Sequence, residues 1–195
     1  MRSCGRPSSS ARRALSSAEF WRTPLGDVPL DRAGAAVLEK LPQVRVFDAA
    51  HAGEHGLEVQ LPFLQETLRS FDLLPLVAGD ASPQEVAQVL ELVWGGSETL
   101  IVVSCDLSHY HRYADAREID HATGEAILAL SATLDHEQAC GATPINGLLQ
   151  AARRRALLPQ LLDLRNSGDT AGDRSRVVGY AAFAFREPGA ARGRA

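Results

Sequence analysis

A carboxylate and an imidazole that could act together follow a short apolar run near the middle of the chain. Residues 100–103 are leucine, isoleucine and two valines, a pattern typical of a strand buried on both faces. Asp106 and His109 come directly after it. Ligands of open α/β sheets bind at the carboxyl ends of strands, so this pair suits general acid–base chemistry. The alternative is that Asp106 caps a turn and His109 is a hydrogen-bonded loop histidine.

A thiol precedes a predicted helix. Cys140 lies just before Thr143-Pro144, a pair that favours the first turn of a helix. The positive end of a helix dipole lowers the pKa of a nearby thiol, and a thiolate is a soft ligand for iron, copper or zinc. The alternative is a small buried hydrophobic side chain, the commoner role of a cysteine without a disulfide. We predict that second role for Cys105.

Two further segments carry polar residues at useful spacings. Residues 51–55 spell H-x-x-E-H, a zinc-protease motif, but Gly53 interrupts the helix that this motif requires, so it is weak evidence. His55 and Glu58 share a helix face, where the carboxylate can orient the imidazole, and the alternative is a surface ion pair. Residues 166–169, Asn-Ser-Gly-Asp, suit either substrate binding or a tight turn.

Composition excludes several classes of protein. The chain has 195 residues, 45% of them hydrophobic, which is enough for one domain with a sizeable core. A net charge of -4 gives no reason to expect nucleic-acid binding, and no apolar run is long enough to span a membrane. Three scattered cysteines favour the cytoplasm. Lys40 is the only lysine among 20 basic residues, which suggests a GC-rich, bacterial gene.

Strand and helix patterns alternate, which predicts an α/β fold with a mostly parallel sheet. Residues 1–12, rich in arginine and serine, are interpreted as a disordered or aberrant start rather than a transit peptide. Residues 13–186 form the predicted domain, and residues 187–195 a disordered tail. Helices are predicted for residues 33–41, 51–69 with a start or kink at Pro62, 83–94, 115–130 and from 143, and strands for residues 44–47, 71–77, 99–104, 157–164 and 177–185.

Several segments resemble the Memo family, over about residues 13–185. Residues 54–63 are similar to the family's E-H-S-L-E-V-Q-L-P-F, and residues 103–110 to its V-S-S-D-L-S-H-Y. Residues 140–145 are similar to C-G-x-x-P-I, and residues 166–169 and 178–183 to its closing segments. Bacterial members of the family are called AmmeMemoRadiSam system protein B.

The resemblance implies a three-layer α/β/α fold with a mostly parallel central sheet, related to class III extradiol dioxygenases. It also implies redox or oxygenase-like chemistry, with Asp106 and His109 catalytic and Cys140 a ligand of iron, or of copper. The implied partners are a small molecule or a peptide, a radical SAM protein and an AMMECR-type protein. The residues implied to bind substrate are His55, Glu58, Asn166 and Asp169.

One part of the family pattern is missing. Its first two metal-binding histidines lie in P-H-A-G-Y and G-P-S-H segments, and neither segment occurs here. We therefore expect an N-terminally incomplete family domain that binds metal weakly or not at all. One alternative to a metal-dependent redox protein is a non-catalytic module that holds a peptide or small ligand in the same cleft, and another is a truncated product without activity.

Overall fold

The computed structural model describes residues 13–189, so the predictions for residues 1–12 and most of the tail lie outside the described residues. The chain is mixed α/β, as predicted. Among the helices of residues 13–189, none combines the length and the hydrophobicity of a membrane-spanning segment. The strands are β1 (Arg13–Leu15), β2 (Phe20–Thr23), β3 (Gly26–Pro29), β4 (Val44–Val46), β5 (Val77–Ala78), β6 (His109–His111), β7 (Leu158–Asn166) and β8 (Val177–Arg186). The helices are α1 (Arg32–Leu38), α2 (Asp48–His51), α3 (Leu61–Thr67), α4 (Pro83–Leu92), α5 (Tyr113–Leu128), α6 (Ala142–Arg154) and α7 (Ser167–Thr170), and Glu58–Gln60 form a 3₁₀ turn.

Within residues 13–189 the strands form three small sheets, ordered β4-β1-β5, β2-β3 and β6-β8-β7. The β1–β4 pair is parallel, whereas the other paired strands are antiparallel. The longest ladder joins β7 to β8, from Leu158 opposite Arg186 to Asn166 opposite Gly179. These two strands follow each other closely in the chain, and such a short connection can join only antiparallel neighbours.

The strand predicted for residues 99–104 is wrong. This stretch has no regular secondary structure and joins no ladder among the described residues. Leu100 is 66% exposed and Val102 is 45% exposed. An apolar, β-branched run becomes a strand only where another strand forms hydrogen bonds with its backbone N–H and C=O groups. No described segment pairs with this run in that way.

Helix predictions that rest on local end signals are confirmed. Ser82 and Glu85 form a capping box at the start of α4, with each side chain accepting a hydrogen bond from the other residue's backbone N–H. Helices α5 and α6 lie close to their predicted positions. The helix predicted for residues 51–69 is not continuous, because α2 ends at His51 and α3 begins at Leu61. Pro62 lies in the first turn of α3, so the predicted helix start at this proline is confirmed.

The β2–β3 hairpin was not anticipated. Thr23 to Gly26 form the turn that closes it, and Arg22 pairs with Asp27 across it at 2.8 Å. Gly26 has a φ of 126°, a conformation that other residues rarely adopt.

The strand predicted for residues 71–77 is much shorter in the structure. Only β5, at its end, and a single bridge from Leu73 to Leu30 are formed.

Two clusters of buried apolar side chains hold these elements together. One lies among β1, α1, β4 and α4. The other lies between α5 and α6 and includes Leu107, Ala139 and Ala142. Since these three residues flank the segments that carry Asp106 and Cys140, the second cluster fixes the backbone of the candidate site.

Candidate functional site

Asp106 and His109 meet at the start of β6. The Asp106 Oδ2 and His109 Nε2 atoms are 3.5 Å apart, and the two side chains are 47% and 27% exposed. The residues between them are anchored, because Leu107 N–H donates to the Gly179 carbonyl and Gly179 N–H donates to the Ser108 carbonyl, both at 2.9 Å. Leu107 and Ser108 are buried. The pair therefore stands on a rigid backbone with its polar atoms accessible to a ligand.

A buried carboxylate forms a hydrogen bond with this backbone. Asp120 of α5 is 2% exposed, and its Oδ1 accepts the Ser108 N–H at 3.0 Å. Burial raises the pKa of Asp120. A Cβ at Gly179 would overlap this carboxylate, so the close approach requires glycine there. The sequence did not single out Asp120, because one acid within an amphipathic helix is ordinary.

Cys140 lies directly before Gly141, the N-cap of α6, and beside Asp106. Its N–H donates to the Asp106 carbonyl at 3.2 Å. The Cys105 and Cys140 sulfurs are 3.7 Å apart, and Gly141 N–H donates to the Cys105 sulfur at 2.9 Å. The purely space-filling role predicted for Cys105 is therefore incomplete. Its hydrogen bond with Cys140 and its burial raise the pKa of the Cys105 thiol.

The loop that carries Cys140 is fastened to α6 by a side-chain amide. Asn146 Oδ1 accepts the Leu134 N–H at 3.0 Å, and Asn146 Nδ2 donates to the Leu134 carbonyl at 2.8 Å. Both residues are buried. At the other end of the loop, His136 Nδ1 lies 3.1 Å from the Cys140 carbonyl oxygen. These contacts hold Cys140 against Asp106.

His55 and Glu58 form an exposed pair at 2.6 Å, with side chains 78% and 59% exposed. The hydrogen bond with Glu58 raises the pKa of His55. Their segment reaches the site through Gln60, whose Nε2 donates to Ser104 Oγ at 2.9 Å. His51 ends α2, so it shares no continuous helix with His55, and the zinc-protease interpretation fails.

Asn166 and Asp169 lie in a different place. Asn166 Oδ1 accepts the Gly168 N–H and Asp169 Oδ2 accepts the Asn166 N–H, both at 2.9 Å, which caps α7. Tyr113 donates to Asp169 at 2.6 Å, and this bond lowers the pKa of Asp169. Both residues line a small, partly open cavity of about 80 Å³, together with Arg117, Asp120, His121, Leu164 and Arg165. Asp120 lines this cavity and also supports Ser108, so it connects the two places.

The described residues do not complete a metal site. Among them, no group of three or more His, Cys, Asp and Glu side chains is placed to hold a metal ion. The Cys140 sulfur contacts the Cys105 sulfur. The imidazole of His109 and the carboxylate of Asp106 contact each other. A mononuclear centre with three protein ligands does not fit these residues alone.

Comparisons with known proteins point to one family. A family model described as Memo-like protein matches residues 9–184. A MEMO1 family protein of Methanosarcina barkeri is 36% identical over 181 residues, which cover 86% of this chain and 68% of that protein. MEMO1 family proteins of Methanopyrus kandleri and Sulfolobus acidocaldarius are 36% and 32% identical, covering 85% of this chain and 64% and 63% of theirs. The chain thus spans about two thirds of the length of these archaeal relatives.

Proposed function

This chain belongs to the Memo family, and we propose that it is a redox protein with oxygenase-like chemistry at Asp106, His109 and Cys140. The observation that carries the proposal is the meeting of three chemically useful residues from two distant segments. Asp106 contacts His109 through its side chain and Cys140 through its carbonyl. We further propose that the complete family domain has the three-layer, dioxygenase-like architecture, and that the protein works in the cytoplasm.

His109 is the proposed acid–base group. Its imidazole is partly exposed, so it can take a proton from a bound substrate, while Asp106 orients the ring and stabilises the imidazolium that forms. A separation of 3.5 Å is long for a hydrogen bond, and such contacts shorten when a substrate excludes water. Cys140, at the start of α6, supplies a sulfur that the helix dipole favours as thiolate.

Iron, or copper in its place, is the cofactor that we propose for a complete family member, with Cys140 as one ligand. The residues described here do not provide the remaining ligands. A single thiolate with incomplete geometry binds a cation poorly, because each missing ligand removes binding free energy. We therefore propose that this chain binds iron weakly and substoichiometrically.

Two regions are proposed to bind the substrate. His55 and Glu58 form an exposed pair in the segment whose Gln60 donates to Ser104, and they suit a polar group of a small molecule or peptide. Asn166 and Asp169 line the neighbouring cavity. A radical SAM protein and an AMMECR-type protein are the proposed protein partners.

Iron(II) binding, measured by anaerobic titration against a chromophoric chelator, separates the roles of these residues. We expect weak binding by the unmodified chain, loss of that binding in Cys140→Ser, and unchanged binding in His109→Ala. His111→Ala is the matched control, because it removes an imidazole from the same strand. Unaffected binding in Cys140→Ser would show that the cysteine is not a ligand.

Oxygen uptake in the presence of iron(II) and a reductant distinguishes a redox protein from a binding module. We expect His109→Ala to lower protein-dependent oxygen uptake at least tenfold, while His111→Ala retains it. If the chain adds nothing to the uptake caused by free iron(II), but binds small ligands or peptides in a manner that depends on His55, the non-catalytic alternative is correct.

A further inference from the structure

Two thiols from distant parts of the chain face each other beside Asp106. The Cys105 and Cys140 sulfurs are 3.7 Å apart although the residues are 35 positions apart in sequence. The two cysteines are not joined by a disulfide. Both are partly buried, and neither is fully removed from solvent. Thiols brought this close by a folded backbone can be joined by exchange with an external disulfide, which takes up the two electrons.

We propose that Cys105 and Cys140 form a reversible dithiol–disulfide couple that exchanges with low-molecular-weight disulfides. A disulfide has a sulfur–sulfur bond of about 2.05 Å, so the present separation of 3.7 Å must shorten to that length. The backbone is already held for this approach, because Cys140 N–H donates to the Asp106 carbonyl at 3.2 Å. Cys140 precedes the first helical residue, so its side chain can rotate without breaking a turn of α6.

The exchange proceeds in two displacements. The Cys140 thiolate attacks one sulfur of the small disulfide, which releases one thiolate and leaves a mixed disulfide on Cys140. The Cys105 sulfur then loses its proton, attacks the Cys140 sulfur and releases the second thiolate. In total two protein thiols are oxidised to one disulfide, one small disulfide is reduced to two thiols, and the protons pass to those thiols or to water.

Gly141 is the residue that permits this geometry. Its N–H donates to the Cys105 sulfur at 2.9 Å, which stabilises negative charge on that sulfur during the second displacement. A Cβ at position 141 would lie 2.9 Å from the Cys105 sulfur and 3.0 Å from its Cβ, closer than side chains pack. An alanine there would force the Cys105 side chain out of its present position beside Cys140. The couple does not depend on the proposed redox function, although disulfide formation would remove the Cys140 thiolate from that reaction.

The test equilibrates the full chain in reduced and oxidised glutathione, traps thiols with an alkylating agent in denaturant and analyses the peptides by mass spectrometry. Cys4 is replaced by serine in every variant, so that only two thiols are counted. We expect a peptide pair joined through residues 105 and 140, two hydrogens lighter than the reduced pair. Cys105→Ser should instead accumulate a stable glutathione adduct on Cys140.

Gly141→Ala should lower the equilibrium constant for the disulfide at least tenfold, whereas Gly53→Ala, which has nothing within 4 Å of its Cβ, should leave it unchanged. Circular dichroism of each variant checks that it folds. Accumulation of glutathione adducts on both cysteines without a joined peptide would overturn the proposal, as would two thiols that stay reduced across the whole series of buffers. These results concern sulfur alone, so they are independent of iron binding and oxygen uptake.

Discussion

Replacing Asn146 by alanine removes the side-chain amide that makes hydrogen bonds with both the N–H and the C=O of Leu134. The variant leaves a buried N–H and a buried C=O without their partners, since Leu134 is 6% exposed and Asn146 is 7% exposed. An unsatisfied buried backbone group costs about 1–3 kcal/mol. Two such groups, partly relieved by water that enters the space left by the amide, give an expected loss of about 2–4 kcal/mol.

Urea denaturation followed by circular dichroism measures this loss as a change in the free energy of unfolding. The matched control is Glu137→Ala, an exposed position on the same loop, where a change of no more than about 0.5 kcal/mol is expected. Asn146→Ala should also make Cys140 react faster with a thiol reagent, because the loop that carries Cys140 is no longer held to α6. A loss in Asn146→Ala no larger than in the control would refute the role given to these two hydrogen bonds.

Two further predictions concern packing and pH. Gly147→Ala should destabilise the fold by about 1–3 kcal/mol, because the new Cβ would overlap Val86 where α6 packs on α4; Gly53→Ala, with open space around it, is the control for thermal melts. Burial lowers the pKa of His51 in the folded state, so the unfolded state binds more protons and stability should fall as the pH drops through about 6.5. His51→Gln should reduce that loss between pH 7.5 and 5.5, whereas His55→Gln should enlarge it, because the pKa of His55 is raised in the folded state.

Local signals in the sequence predicted the helices that depend on them. The capping box at Ser82 and the proline before Ile145 mark the starts of α4 and α6, because these residues act on hydrogen bonds of their own turn. Pro62 likewise marks the start of α3. Where the apolar spacing continued through glycines, as in residues 51–69, periodicity alone overestimated the helix.

Features that depend on distant parts of the chain were not predictable in this way. Residues 99–104 have the composition of a buried strand, but pairing requires a neighbour that the composition does not reveal. The contact between Cys105 and Cys140 arises from the packing of α6 against the end of that segment, so no spacing rule would find it. Asp120 was missed for the same reason, since its importance comes from Ser108 on another element.

The candidate site was predicted in part. Asp106 and His109 were found from their position after an apolar run, and the structure brings them together at 3.5 Å, although the run itself is not a strand. Cys140 was found from its place before a helix, and its backbone lies against Asp106. Their roles in catalysis and metal binding stay predictions.

If Asp106, His109 and Cys140 form a single reaction site, a modification of the Cys140 sulfur must be sensed by the His109 ring. Nitrogen-15 NMR of the histidine rings measures this before and after alkylation of Cys140 with iodoacetamide, in a chain whose other cysteines are replaced by serine. We expect the His109 ring resonances to shift, while those of His121, on the exposed side of α5, stay in place. Unmoved His109 resonances in a fully alkylated, folded chain would contradict it.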